Sequence, residues 1–150
     1  MMADLLTHYV SARLPGSFIG DPAARATLVL GVFLPDVAGK LMARIFNTPD
    51  GFSAPAHSLL GLLLLSYVVA LLFSPEFRAK AWLTIYVGAL LHVALDLLKD
   101  NLGGGSAYLL HPFTLAGYEI GLYYNENVVY AMPVDLLLMA LIVGFSRRWK

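Results

Sequence analysis

The chain has 150 residues, 59% of them hydrophobic and only 13% charged, with ten basic and ten acidic side chains. Soluble domains average about 45–50% apolar and about 25% charged residues, so this composition, with a mean hydropathy of +0.71, points to an integral membrane protein. The even charge balance speaks against a nucleic-acid binder, and the absence of cysteine excludes disulfides, thiolate nucleophiles and cysteine-held metal centres together.

One domain spanning residues 1–150 is the natural count for this length. The first residues lack the basic region and apolar core of a signal peptide, so insertion is expected to rest on internal segments. Helical spacing over residues 1–14 gathers Leu5, Leu6, Tyr9 and Val10 on one side. That predicts a short amphipathic helix ended by Pro15-Gly16, lying on the bilayer surface or docked on the core.

Residues 15–23 read as loop. Residues 24–46 are apolar from Ala26 to Leu34, then interrupted by Pro35-Asp36 and followed by Lys40 and Arg44. This predicts a broken or re-entrant helix with Asp36 facing protein or water, and a poor candidate for a full span. Residues 47–56 are turn-rich. The clearest membrane helix is expected from His57 to Phe73, and the next from Ala81 to Leu98.

Residues 99–127 read as a long loop, with His111-Pro112-Phe113 and interfacial tyrosines at Tyr118, Tyr123 and Tyr124. A last helix is expected from about Met132 to Phe145, stopped by Arg147-Arg148-Trp149-Lys150. The expected architecture is therefore all-α: a small integral membrane helical bundle of about three to four membrane-embedded helices plus the short N-terminal helix. If the last three helices cross, Arg78, Lys80 and the basic tail share one side, which the positive-inside rule makes cytoplasmic. His57, His92, Asp96 and the 99–127 loop then share the extracytoplasmic face.

Chemistry concentrates in Gly88-Ala-Leu-Leu-His-Val-Ala-Leu-Asp-Leu-Leu-Lys-Asp100. A spacing of four puts His92 and Asp96 on one helix face, as two metal ligands or as a carboxylate holding an imidazole by a hydrogen bond. His57 stands where a loop enters a helix, and reads equally as a capping residue. His8, on a weakly amphipathic helix, reads as a surface histidine, and His111, before a proline, as a packing residue. Asp36 could cap a restarting helix as well as reach a site. Asp135 lies two residues after Pro133, where a carboxylate offsets the helix dipole.

Imidazole with carboxylate is the ligand set of catalytic zinc and of non-haem iron or manganese. No Gly-x-Ser-x-Gly elbow and no phosphate-cradling loop competes, so metal-activated water is the chemistry available to an enzyme here. A non-catalytic bundle whose polar residues pin helices or serve a partner is the alternative. Haem ligation by two histidines is a third reading, and the lack of an internal repeat argues against a transporter.

The order of Thr7-His8, Leu34-Pro35-Asp36, Ala56-His57-Ser58-Leu59-Leu60, His92-Val-Ala-Leu-Asp96-Leu-Leu98 and Pro112-Phe113 resembles the bacterial YdjM-type family of inner-membrane proteins. That family carries a metal-dependent hydrolase label drawn from motifs, and looks related to zinc-dependent phospholipase C and P1-type nucleases. The resemblance implies metal ligation by His8, Asp36, His57, His92 and Asp96, with zinc first and iron or manganese as alternatives. The label carries no substrate; location at the bilayer interface and ligand type lead to the expectation of a lipid or lipid-linked phosphoester, with Asp36, His92 and Asp96 as the catalytic residues. Two positions depart from the family pattern: Val37-Ala38 stands where an acidic residue often follows Pro-Asp, and Phe52-Ser-Ala-Pro-Ala56 replaces a His-Arg pair.

Overall fold

A computed structural model describes residues 2–47, 54–100 and 107–124, together with positions 137, 141 and 144. Its described part is all-α: helix α1 (Met2–Gly16), α2 (Pro22–Phe46), α3 (Leu59–Ala70) and α4 (Pro75–Leu98). A single 3-10 turn, Ala54–His57, leads into α3. Two two-residue strands, β1 (Lys99–Asp100) and β2 (Tyr123–Tyr124), pair in parallel beyond α4.

Local sequence sets the helix starts. Asp21 caps α2 by accepting from the Ala23 amide at 3.0 Å, with Pro22 in the first helical position, where its missing N–H costs nothing. Ser58 caps α3 through the Gly61 amide and donates its own hydroxyl proton to the Pro55 carbonyl. This fixes the 3-10 turn, and His57 with it, to the mouth of α3. Pro75 opens α4, with Glu76 in the first turn offsetting the exposed amides.

Three expectations are corrected. α2 continues through Pro35 as one helix of 25 residues and is long and apolar enough to cross a membrane. Pro35 removes one rung without ending the helix, because Gly31, Val32 and Gly39 on either side are all buried. α3 has only 12 residues, about 18 Å at 1.5 Å per residue, so it falls short of a span on its own. α4 starts at Pro75, earlier than the hydrophobic run suggests, and its 24 residues make it the second candidate span. The helix expected near 132–145, with Asp135, falls almost wholly outside the described residues.

α2 and α4 form the principal helix pair, and they run parallel. Asp21 meets Lys80 at 3.0 Å, Thr27 Oγ1 meets Thr84 Oγ1 at 2.6 Å, and Asp36 approaches His92, so partners advance together along both helices. The backbones abut between Thr27 and Asp36. A Cβ placed on Gly31 would strike the Ile85 carbonyl, and one on Gly88 the Leu28 carbonyl. Small residues at such a crossing let two helices gain dispersion contact where lipid offers no hydrophobic driving force between them.

α3 packs against α4 through Leu62 with Ala89 and Val93, and through Ala70 with Ala81 and Ile85. α1 also docks on the bundle and buries Val10 of the expected apolar face, the side chains of Leu5 and Leu6 lying outside the described ones. Its buried stripe is His8, Ala12 and Gly16, whose small members permit close approach. Residues 107–124 close over the far end of α4. The Ile120 and Leu122 amides donate to the Leu97 and Leu98 carbonyls, which the helix itself leaves unsatisfied, and the Leu59 amide donates to the Leu109 carbonyl.

Candidate metal centre

The parallel pairing puts the last turns of α4 beside the middle of α2, and four segments deliver polar side chains to that level. His92 comes from α4, with Asp96 one turn further on. Asp36 comes from α2, His8 from α1 and His57 from the 3-10 turn. His8 stacks on His92 with ring centroids 4.1 Å apart and planes 17° from parallel. His57 tilts against the other side of His92 at 5.4 Å and 52°.

The nitrogens and carboxylate oxygens converge. His92 Nε2 lies 2.9 Å from Asp96 Oδ2 and 3.8 Å from Asp36 Oδ1. His57 Nε2 is 3.8 Å from Asp96 Oδ2 and 3.9 Å from Asp36 Oδ1, and His8 Nε2 is 3.6 Å from Asp96 Oδ1. They form two overlapping groups, His8–His92–Asp96 and Asp36–His57–His92, within each of which the ligand atoms lie within 4.8 Å of one another. His92 belongs to both.

Two observations test whether these residues suit a metal ion. First, His92 is 1% exposed, and neither ring nitrogen has a hydrogen-bond partner among the described residues. The 2.9 Å approach to Asp96 is close enough for a hydrogen bond but not aligned as one, so a buried imidazole is left with lone-pair capacity aimed among other donor atoms. Such a group is costly unless something satisfies it. Second, two atoms each about 2.0–2.2 Å from one ion stand roughly 3–3.6 Å apart at tetrahedral or octahedral angles. The measured 2.9–3.9 Å separations are of that size. Three imidazoles and two carboxylates also make a donor set whose formal charge a divalent cation would balance.

The structure thus brings together all five side chains singled out above: His8, Asp36, His57, His92 and Asp96. It corrects the reading of His8 as a surface histidine, since His8 is as buried as His92. Asp36 does not cap a restarting helix, because α2 is continuous there. His111 is half-buried in the closing loop, ahead of a cis bond to Pro112, and joins neither group. Sequence reading missed Lys40, whose Nζ lies 3.5 Å from Asp36 Oδ2. Its spacing of four from Asp36 was the available signal, hidden by reading a helix break at Pro35.

A family model described as YdjM inner membrane protein matches residues 2–149. The chain belongs to the YdjM inner membrane protein family. No curated protein and no solved structure matches it. Among the described residues of this YdjM chain, the helices long and apolar enough to cross a membrane are α2 and α4, the same two that carry Asp36, His92 and Asp96. The cluster is therefore built on these two candidate spans, with His8 and His57 brought to it by α1 and the 3-10 turn.

Proposed function

We propose that the chain is a membrane-bound, metal-dependent hydrolase acting on a phosphoester of a lipid or lipid-linked substrate. The observation that carries this reading is the convergence of three histidines and two aspartates around a buried His92 with unsatisfied nitrogens. His8, His57, His92, Asp36 and Asp96 would hold the ion, and the mixed imidazole–carboxylate set favours zinc, with iron or manganese as alternatives. A metal held there would lower the pKa of its bound water to about 7 and polarise a phosphoryl oxygen.

The chain's own residues divide the remaining work. Asp36 turns Oδ1 toward His57 and His92 and Oδ2 toward Lys40. In this reading Asp36 takes a proton from water attacking phosphorus through Oδ2, the oxygen on the Lys40 side. Lys40 is well exposed beside it, so its ammonium can bind a phosphoryl oxygen at the entrance. His92 and His8 lie in the interior, and their stacking excludes water from the inner side of the cluster.

The location supports a lipid substrate. Asp36 lies within α2, which continues beyond it with Val37, Leu41 and Ile45 exposed as one stripe, so apolar surface adjoins the entrance. Parallel α2 and α4 put Arg25, Arg78 and Lys80 together at the opposite end of the pair. The positive-inside rule makes that end cytoplasmic and turns the cluster toward the extracytoplasmic side.

The test is the metal content of detergent-purified protein, wild type beside His92→Ala, followed by hydrolysis assays on phospholipid and lipid-linked phosphoesters. One or two equivalents of metal in the wild type, absent from His92→Ala, with metal-dependent release of a phosphorylated head group, is the expected result. A metal-free wild type that stays metal-free after reconstitution would overturn the reading. The cluster would then serve as a polar pin joining α1, α2, the 3-10 turn and α4.

A further inference from the structure

Toward the N-terminal end of α2, α1 and α2 flank an open groove of about 460 Å³ lined by Tyr9, Arg13, Pro22, Arg25, Ala26 and Val29. Two of these six residues are arginines and none is acidic. We propose that this groove binds the phosphate of an anionic phospholipid, with Arg13 and Arg25 holding the phosphate oxygens and Ala26 and Val29 lying along the glycerol and acyl chains.

The charge is uncompensated. Among the described residues neither guanidinium pairs with a carboxylate. The nearest acid in sequence, Asp21, is already engaged: it caps α2 and meets Lys80 at 3.0 Å. Arg13 is held in place instead by the Tyr9 ring, its guanidinium carbon 6.0 Å from the ring centroid. An arginine stacked on an aromatic face is pre-ordered and keeps its planar fork of donors for a bidentate partner, for which phosphate is the matching acceptor.

The order of the lining residues fits a lipid better than a free anion. Pro22 and Arg25 lie in the first turn of a helix long enough to cross a membrane, Ala26 follows directly and Val29 lies about one turn further in, next to exposed Leu30. Polar and apolar ends of the groove are thus stacked along the membrane normal in the order of a head group and its chains. Basic side chains beside a membrane helix at the cytoplasmic surface attract anionic lipid head groups. The inference is independent of whether the histidine cluster binds metal.

The experiment is lipid binding to the full detergent-purified chain by native mass spectrometry. It compares dioleoylphosphatidylglycerol, dioleoylphosphatidylcholine and inorganic phosphate on the wild type, the Arg13→Gln/Arg25→Gln variant and the Arg13→Lys/Arg25→Lys variant. Phosphatidylglycerol should bind preferentially to the wild type, about 25-fold more weakly to the glutamine pair at about fivefold per arginine, and with an intermediate loss to the lysine pair, which keeps the charge but not the planar fork. Equal binding of the two lipids, equal binding by the wild type and glutamine variant, or displacement of phosphatidylglycerol by equimolar inorganic phosphate would each overturn it. Should the glutamine pair fail to fold, single Arg25→Gln carries the same comparison, with a fivefold loss expected and no loss overturning.

Discussion

Gly31 and Gly88 face each other where α2 crosses α4, and neither has room for a Cβ because a carbonyl of the opposite helix occupies the space. The obstacle on each side is backbone, which cannot rotate away as a side chain can. The Asp36–His92 approach, five and four residues further along the two helices, depends on that contact.

Gly31→Ala and Gly88→Ala are therefore expected to force the helices apart, each at about 1–3 kcal/mol of overpacking strain. Bound metal should fall together with the thermal midpoint in detergent. Gly20→Ala, where a Cβ meets nothing within 4 Å, is the control and should change neither.

Thr27 and Thr84 join the same two helices through their hydroxyls at 2.6 Å. Thr27→Val and Thr84→Val should show coupling of about 0.6 kcal/mol in a double-mutant cycle, the usual size for an interhelical hydrogen bond in a membrane protein. Additive effects would mean that the hydroxyls act only within their own helices, where each has a carbonyl one turn back to which its single proton can go instead.

Zinc at about 100 times its dissociation constant should stabilise the wild type by about 2.7 kcal/mol, and a chelator should reverse the gain. His92→Ala should abolish the effect, since His92 belongs to both ligand groups. His8→Ala and His57→Ala each remove a member of one group only, and should weaken the dependence on zinc without eliminating it.

Lys40→Gln should leave metal content intact and lower kcat/KM on a phosphoester by roughly tenfold to a hundredfold, the size of a lost charge-assisted hydrogen bond. Lys40→Arg should retain most of the activity. An unchanged kcat/KM in the glutamine variant would restrict Lys40 to its ion pair with Asp36.

Asp21 has two jobs, and two variants separate them. The hydrogen bond from Lys80, with help from the α2 amides, holds its carboxyl below the ordinary value of 3.8. Asp21→Asn keeps the cap and loses the tether to α4, whereas Asp21→Ala loses both, so the alanine variant should melt lower at pH 7. Because the folded-state pKa is depressed, the tether is fully present above about pH 4 and lost as pH falls through the lowered value. The difference between wild type and Asp21→Asn should close over that acidic range, measured as thermal midpoints against pH.

Much of the cluster was legible because helical spacing is a local property. His92 and Asp96 share a face by their interval of four, and Ser58 marks the start of α3 by its own capping chemistry. Composition likewise pointed to membrane helices, since hydropathy sums over residues without reference to neighbours. Pro35 misled for the converse reason. A proline's local cost argues for a break, but buried contacts on both sides keep α2 whole, and that continuity sets Lys40 beside Asp36.

His8 shows the limit most plainly. Its own helix has only a weak amphipathic pattern, so no local signal tells a buried histidine from an exposed one. The buried stripe of His8, Ala12 and Gly16 exists because α1 meets α2 and α4 there, and only that packing stacks His8 on His92. By itself the sequence determined the apolar helical character and the His92–Asp96 pair, both products of interactions within a few residues. The parallel register of α2 on α4, the glycine crossing, the gathering of five side chains and the arginine groove were decided by tertiary structure, because each depends on which surfaces distant segments press together.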